Sequence, residues 1–157
     1  MPASLVKQYL DNHNIEYVTI LHSPAYTAQG IAASAHVPGR EFAKTVIVRM
    51  DDRLAMAVLP APHKIMLELL REVSGAEHVA LASEAEFTSR FPDCEPGAMP
   101  PFGNLYGMDV FVGESLMDDE YIVFNAGSHH ELIRMRYKDF ERVVEPMIVK
   151  LSRAAMY

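Results

Sequence analysis

Apolar and polar positions alternate along this chain with two different periods. Near the start, apolar side chains recur at helical spacing over residues 5–10, and Asn12-His13-Asn14 interrupts the pattern, which predicts a first helix. Short apolar runs predict strands, at 17–21, 45–50, 54–59, 109–112, 121–125 and 142–144. The short polar link between the second and third runs predicts an antiparallel hairpin.

Helix start signals lie between these runs. Thr27 and Pro62 are well placed to open helices over 28–35 and 62–72. Ser83 and Ser128 each precede a glutamate by three residues, as in a capping box, which predicts helices over 83–91 and 128–135. A helical turn is expected at 137–140 and a ragged end at 152–157.

The links between several strands are too short for parallel crossovers. We therefore expect an α/β (α+β) fold with a mostly antiparallel, barrel-like sheet and helices packed outside it. The length of 157 residues suits one domain, and we expect that domain to span 1–157. Residues 92–107 carry four prolines and three glycines, which predicts a long, stiff loop.

Composition narrows the function. The net charge of −7 argues against broad, sequence-independent clamping of nucleic acid, although it leaves room for a local basic patch. Cys94 is the single cysteine, so no disulfide forms within the chain and a reducing cytoplasm is expected. Its acidic neighbours disfavour the thiolate, which makes it a bystander. No apolar run is long enough for a membrane span, and Met1-Pro2-Ala3-Ser4 lacks the charged and apolar regions of a signal peptide, so none is expected.

Lys44 is the first candidate for chemistry. It shares a strand face with Val46, Val48 and Met50, whereas the opposite face carries Arg49, so the lysine face is expected to be the buried one. A lysine at the end of an apolar stripe is costly unless it reaches water, a carboxylate or an anionic ligand. Either the side chain extends to solvent at the strand end, or it meets a ligand.

Two further segments are candidates. Residues 95–103 describe a rigid loop that can aim backbone N–H groups at a carbonyl oxygen, or a stiff connector with no ligand. At Gly127-Ser128-His129 a strand runs through glycine into the predicted helix, whose free N–H groups attract anions. His129 or His130 can donate a hydrogen bond or shuttle a proton there, or lie in solvent. His22 either lines a pocket or lies on the surface.

Other chemistries lack their motifs. The chain has no P-loop, no dinucleotide-binding glycine pattern and no serine-hydrolase elbow, and its histidines lack a zinc spacing. We therefore expect no cofactor and no metal. A metal-dependent hydrolase that uses His129 and His130 remains an alternative.

Four stretches, in this order, resemble the YbaK-like family of prolyl-tRNA synthetase-associated editing domains and their free-standing relatives. They are His22 to Thr27 before a small helix, Phe42-Ala43-Lys44-Thr45 before an apolar strand, Gly97-Ala98-Met99-Pro100-Pro101 continuing into Phe102-Gly103, and Asn125-Ala126-Gly127-Ser128-His129. The resemblance spans residues 5–146. No synthetase or anticodon-binding module is visible, so the chain looks like a free-standing member.

The resemblance implies a mixed α/β domain with a barrel-like sheet that hydrolyses the ester between a wrong amino acid and the terminal adenosine of tRNA. It implies that Lys44 is the family's essential lysine and engages the phosphate or ribose of that adenosine. Backbone N–H groups near Gly97 and Ala98 would stabilise the oxyanion. His129 would hold the ribose or the amino acid. The 2′-hydroxyl of the substrate would orient the water, which makes the reaction substrate-assisted and metal-independent.

By the same resemblance, the remaining substrate-binding residues are His22, Thr27, Met99, Pro100, Pro101, Phe102, Gly127 and Ser128. The expected partners are the acceptor end of mischarged tRNA and an aminoacyl-tRNA synthetase. One departure concerns the loop, because many relatives carry a hydroxylated residue where this chain has Pro100. The main alternative keeps the fold without catalysis, as a binding module for an aminoacyl or nucleotide-like ligand or for a synthetase.

Overall fold

The computed structural model describes residues 4–22 and 38–154. The described helices are α1 (Ser4–Asn12), α2 (Leu67–Ser74), α3 (Glu84–Phe87) and α4 (Tyr137–Val144). The strands are β1 (Tyr17–Leu21), β2 (Ala43–Met50), β3 (Arg53–Pro60), β4 (His63–Ile65), β5 (Val79–Leu81), β6 (Asp109–Gly113), β7 (Tyr121–Ser128), β8 (Glu131–Arg136), β9 (Met147–Val149) and β10 (Ser152–Ala154).

The described strands form three sheets. Their orders are β5-β2-β3-β6-β9, β1-β8-β7 and β10-β4. Most neighbouring strands are antiparallel, but β3 with β6 and β6 with β9 are parallel pairs. The mixed α/β class is confirmed. None of these sheets closes on itself within the described residues, so the barrel stays a prediction.

Hydrophobic side chains cover both faces of β2. Ala43 and Ile47 belong to the main core, which is centred on Phe102, Phe124 and Phe140. Val48 on the opposite face belongs to a second cluster, in which Leu59, Leu70 and Leu151 are also completely buried. The expectation that only the Lys44 face of β2 is buried is therefore wrong. The strand lies between two apolar layers, and Arg49 is exposed because it lies near the hairpin end.

Local signals predicted several elements well. Helix α1, strand β1 and the β2–β3 hairpin occur where the pattern placed them. The Ser83 capping box is present in full, since the Ser83 hydroxyl accepts from the Glu86 N–H and the Glu86 carboxylate accepts from the Ser83 N–H. Gly75 ends α2 in the left-handed conformation (φ 74°), which glycine adopts without steric cost.

Other local signals were misleading. Pro62 does not open a helix, because the next residues form β4 against β10, and α2 begins only at Leu67. Residues 142–144 belong to α4 rather than to a strand. The expected ragged end is partly ordered, since Ser152 begins β10. The predicted helix over 28–35 and its cap Thr27 lie outside the described residues.

The largest correction concerns 128–135, which is a β-hairpin and not a helix. Strand β8 pairs with β7 on one side and with β1 on the other, so its backbone groups are satisfied by the sheet. The Glu131 carboxylate binds Lys7 instead of capping a helix. The serine–glutamate spacing was thus coincidental, and sheet pairing decided the structure. The N–H groups at Gly127 belong to a strand end, and the helix-start argument for anion binding does not apply.

Candidate active site

Strand β7 connects the candidate segments. At its start, Val123 N–H donates to the Glu41 carbonyl at 2.9 Å, and Phe42 forms a parallel bridge with Val123. Lys44 and Asn125 each lie two residues beyond this bridge. Neighbours in parallel segments point to the same face, so these two side chains leave the backbone on the same side. The bridge places the start of β2 beside β7.

The glycine–proline loop docks onto the other end of β7. Glu95 N–H donates to the Gly127 carbonyl at 2.8 Å, and Gly127 N–H donates to the Ala98 carbonyl at 2.9 Å. The β7–β8 register shifts between Asn125 and Ser128, and Gly127 has φ of 103° in this irregular stretch. Such irregularities change the direction of side chains at functional sites. Here the stretch frees both backbone groups of Gly127 to hold the loop.

The His129 ring lies at the junction where the glycine–proline loop meets the end of β7. Its Nε2 lies 2.8 Å from the Pro96 carbonyl oxygen, and because a carbonyl only accepts, Nε2 carries the proton in this contact. Gly97 has φ of 85°, and a Cβ built there would lie 3.4 Å from Cε1 of His129. The structure thus brings together the two motifs that were matched separately along the sequence.

His22 reaches the same turn. Its N–H donates to the His130 carbonyl at 3.0 Å, at the end of β1, and its side chain is half-buried. The His130 side chain is exposed, whereas His129 is only 8% exposed. Of the two adjacent histidines, His129 is therefore the one inside the junction.

The N–H groups expected to stabilise an oxyanion are already engaged. Ala98 N–H donates to the Glu95 carbonyl at 3.0 Å within a tight turn. Gly97 N–H lies 3.2 Å from the Met99 sulfur, which is a weak acceptor. A substrate oxygen would replace the sulfur at much lower cost than the carbonyl. Gly97 is therefore the better donor of the two.

The rest of the loop packs inward. Met99, Pro100 and Pro101 are buried. Phe102 is completely buried and its ring contacts Phe124 and Phe140, so in this structure it presents no surface to a ligand. These buried side chains support the loop from the core side, and their expected substrate contacts stay predictions.

Lys44 lies half-buried at the start of β2, paired with Leu59. Burial lowers the pKa of its ammonium below the ordinary value. His63 on β4 is close enough to be affected, because burial and then the Lys44 charge lower the pKa of its imidazole. His63 Nδ1 lies 3.0 Å from the Ser152 hydroxyl. The lysine is thus neither in open solvent nor paired with a carboxylate among the described residues.

Sequence reasoning assigned no role to three residues at this site. Asn125 is 7% exposed, and its Oδ1 is a buried acceptor with no hydrogen-bond partner in the described part of the chain. The Oγ of Ser128, which the resemblance already assigned to substrate binding, is also buried with no hydrogen-bond partner in the described residues. His63 neighbours Lys44, and Glu95 faces His129. Asn125 and Glu95 stood inside or beside matched motifs, but only the docking of the loop on β7 revealed their positions.

Five arginines that could contact tRNA phosphates are all engaged by neighbouring side chains. Arg40, Arg49, Arg53 and Arg136 pair with carboxylates, and Arg134 lies 3.7 Å over the Tyr121 ring. A groove of about 990 Å³ lies at the tip of the β2–β3 hairpin and contains three arginines together with several acidic side chains. None of the candidate site residues lines it. Lys44 lies at the opposite end of β2, so this groove is not the candidate site.

Residues 4–22 and 38–154 contain no group of three or more histidine, cysteine, aspartate or glutamate side chains placed to hold a metal ion. In the same residues, no helix is long and apolar enough to cross a membrane.

Comparison with known structures identifies the class of fold. A solved structure provisionally assigned as a trans-editing enzyme for prolyl-tRNA synthetase superposes with a TM-score of 0.84 at 15% identity, over 98% of each chain. Because the identity is low, this likeness shows a shared fold. The sequence profile of the aminoacyl-tRNA editing domain matches residues 22–143. The chain belongs to the aminoacyl-tRNA editing domain family, which confirms the resemblance drawn from the motifs.

Two curated relatives give the family its context. The proline–tRNA ligase of Macrococcus caseolyticus (strain JCSC5402) is 24% identical over 159 residues, which cover 84% of this chain and 28% of the ligase. The multifunctional Ser/Thr-tRNA deacylase ProXp-y of Escherichia coli (strain K12) is 29% identical over 102 residues, covering 64% of this chain and 60% of the deacylase. The chain therefore spans less than two thirds of either relative.

Proposed function

We propose that this protein is an aminoacyl-tRNA deacylase that removes wrongly attached amino acids from tRNA in the cytoplasm. The observation that carries the proposal is the contact between the Gly97 loop and His129, at the end of a strand whose start lies beside Lys44. Both curated relatives act on tRNA according to their names, and the deacylase hydrolyses aminoacyl esters of the kind proposed here.

Lys44 is proposed to bind the phosphate or ribose end of the terminal adenosine. Its ammonium is half-buried and lacks a carboxylate partner in the described residues, so an anionic ligand group would relieve the cost of its desolvation. Asn125 leaves the backbone on the same side as Lys44 and has a buried acceptor oxygen, which suits a ribose hydroxyl. The imidazole of His63 is close to Lys44 at this end of the proposed site.

Gly97 is proposed to stabilise the oxyanion. As the ester carbonyl becomes tetrahedral, its oxygen gains negative charge, and Gly97 N–H is positioned to exchange the Met99 sulfur for that oxygen. His129 holds the loop through Pro96 and borders the same space, so it orients the ribose or the amino acid. The 2′-hydroxyl of the substrate would orient the attacking water, which requires no nucleophilic side chain.

The acidic chain is proposed to dock only to the acceptor end of tRNA. The surface arginines form ion pairs with neighbouring carboxylates, and exposed pairs of this kind are weak enough to rearrange around phosphate. A contact limited to few phosphates predicts a modest decrease of affinity with salt. A synthetase partner would supply the remaining affinity for the body of the tRNA.

A panel of mischarged tRNAs tests the proposal. Wild-type protein is incubated with tRNAs carrying alanine, serine, cysteine, threonine or proline, and the loss of each ester is followed. We expect at least one to be hydrolysed well above the spontaneous rate. His129→Asn is expected to lower that rate, whereas the exposed neighbour His130→Asn should leave it unchanged.

The same panel separates the alternatives. Binding to the tRNAs without hydrolysis of any ester would favour a non-catalytic binding module. Loss of hydrolysis in the presence of a chelator, with recovery on adding a divalent metal, would favour the metal-dependent alternative. Hydrolysis that persists in the chelator supports the substrate-assisted reaction.

A further inference from the structure

Glu95 is anchored between the end of β7 and the loop that carries Gly97. Its N–H donates to the Gly127 carbonyl, and its own carbonyl accepts from Ala98 N–H at 3.0 Å. Both backbone groups are therefore engaged, one by the β7 strand and one by the loop. Such double anchoring holds the Cα of Glu95 in place, so its side chain starts from a defined point two residues before Gly97.

The Glu95 carboxylate points toward His129 and remains accessible. Its Oε2 lies 3.4 Å from His129 N and 3.9 Å from His129 Nε2, while 42% of the side chain is exposed. Within residues 4–22 and 38–154, no lysine or arginine pairs with it. Other carboxylates nearby differ, since Asp93 accepts from the Tyr106 hydroxyl and Glu131 binds Lys7. Glu95 is thus an accessible carboxylate beside His129, with no lysine or arginine partner in the described part of the chain.

The proposed substrate carries a group that matches this carboxylate. An aminoacyl ester holds an ammonium on the carbon next to its carbonyl. If the carbonyl oxygen is bound at Gly97 N–H, the ammonium lies within one residue length of it, and Glu95 is two residues before Gly97 in the same turn. A carboxylate binds an ammonium through a charge-assisted hydrogen bond, the stronger kind.

We propose that Glu95 binds the α-ammonium of the aminoacyl group and thereby selects aminoacyl esters over esters without a charged amine. The assignment rests on the proposed deacylase function and deepens it by naming the substrate group that the site recognises. It also orients the ester, because an ammonium fixed at Glu95 and a carbonyl oxygen fixed at Gly97 leave the carbonyl carbon little freedom.

The test compares two esters that differ in one group. The amino acid hydrolysed fastest in the panel is used on its tRNA together with its α-hydroxy counterpart, such as alanyl-tRNA with lactyl-tRNA or seryl-tRNA with glyceryl-tRNA. The hydroxyl is similar in size to the ammonium but neutral. We expect the wild type to prefer the aminoacyl ester by about 10- to 100-fold in kcat/KM, the value of one hydrogen bond to a charged group.

Glu95→Gln should remove most of that preference. Its kcat/KM for the aminoacyl ester should fall by about 10-fold or more, while that for the hydroxy ester changes by less than about threefold. Glu95→Asp retains a carboxylate and should keep part of the preference. Glu68→Gln makes the same change at an exposed ion pair with Arg71 within α2, and it should behave as wild type.

Three results would count against the assignment. If Glu95→Gln lowers both esters equally, the carboxylate acts through His129 and not on the ammonium. If the wild type shows no preference between the two esters, the ammonium is not recognised. If no aminoacyl-tRNA is hydrolysed by the wild type, the proposed function fails and the assignment fails with it. Thermal melting of each variant confirms that the fold is retained.

Discussion

Replacing Gly97 by alanine tests whether the loop conformation serves the chemistry. Gly97 has φ of 85°, a region that side-chain-bearing residues rarely adopt. The added Cβ would lie 3.4 Å from His129 Cε1 and 3.8 Å from Nε2, at the close limit of van der Waals contact. The contact itself is tolerable, but an alanine is strained at this φ, so the loop must relax and the Pro96–His129 hydrogen bond shifts with it.

The size of the effect follows from these values. A left-handed conformation costs an alanine about 1–2 kcal/mol. For a chain of this size that corresponds to a melting temperature lower by roughly 2–8 °C, measured by circular dichroism. Because the displaced groups include the proposed oxyanion donor, single-turnover deacylation should slow by roughly tenfold or more.

Gly75→Ala provides the matched control. Gly75 has φ of 74°, and nothing lies within 4 Å of the position of its Cβ. Gly75 ends α2, which packs against the second cluster, so an alanine there adds backbone strain without a new contact. The melting temperature of this variant should fall by a similar amount while deacylation stays at the wild-type rate. If Gly97→Ala shows the expected loss of melting temperature but deacylates at the wild-type rate, the proposed role of the loop in oxyanion stabilisation is refuted.

Three further predictions follow from the described contacts. Gly103→Ala should lower the free energy of unfolding by about 2–4 kcal/mol in urea denaturation, because its Cβ would lie 2.4 Å from the Met108 carbonyl oxygen. Burial raises the pKa of the Cys94 thiol from 9.0 to about 11, so iodoacetamide should alkylate it roughly 100-fold more slowly near pH 8 than an ordinary thiol, as followed by mass spectrometry. Lys44→Met should raise the free energy of unfolding at neutral pH, since burial lowers the pKa of the lysine in the folded state. The wild type should gain stability as pH rises from this lowered pKa toward 10.5, and the variant should lose this dependence.

The sequence predicted those elements whose local signals agreed with their tertiary pairing. The β2–β3 hairpin has two apolar runs around a short polar link, and both strands found partners inside the five-stranded sheet. The Ser83 capping box formed because its helix is short, local and independent of strand pairing. In these cases propensity, patterning and packing point to the same structure.

The failures came from long-range pairing. Ser128 and Glu131 have the spacing of a helix start, but β8 lies between β1 and β7, and two ladders of hydrogen bonds outweigh one cap. The short strand β4 exists only because β10 lies beside it, almost 90 residues later in the chain. Periodicity within a window contains no information on such partners.

The candidate site was predicted in part for the same reason. Motif resemblance selected Lys44, Gly97 and His129, and the structure brings Gly97 and His129 into contact. The motif resemblance did not predict that Ala98 N–H is bonded to the Glu95 carbonyl, or that Glu95 faces His129. Those relations depend on how the loop docks on β7, which no local pattern specifies.

The most direct measurement is the single-turnover rate at which Lys44→Ala hydrolyses the tRNA ester that the wild type cleaves fastest. We expect a decrease of at least about 100-fold, because the half-buried ammonium is proposed to hold the phosphate or ribose end of the substrate during the reaction. Folding is checked by urea denaturation of the same variant. Hydrolysis by folded Lys44→Ala at the wild-type rate would contradict the account.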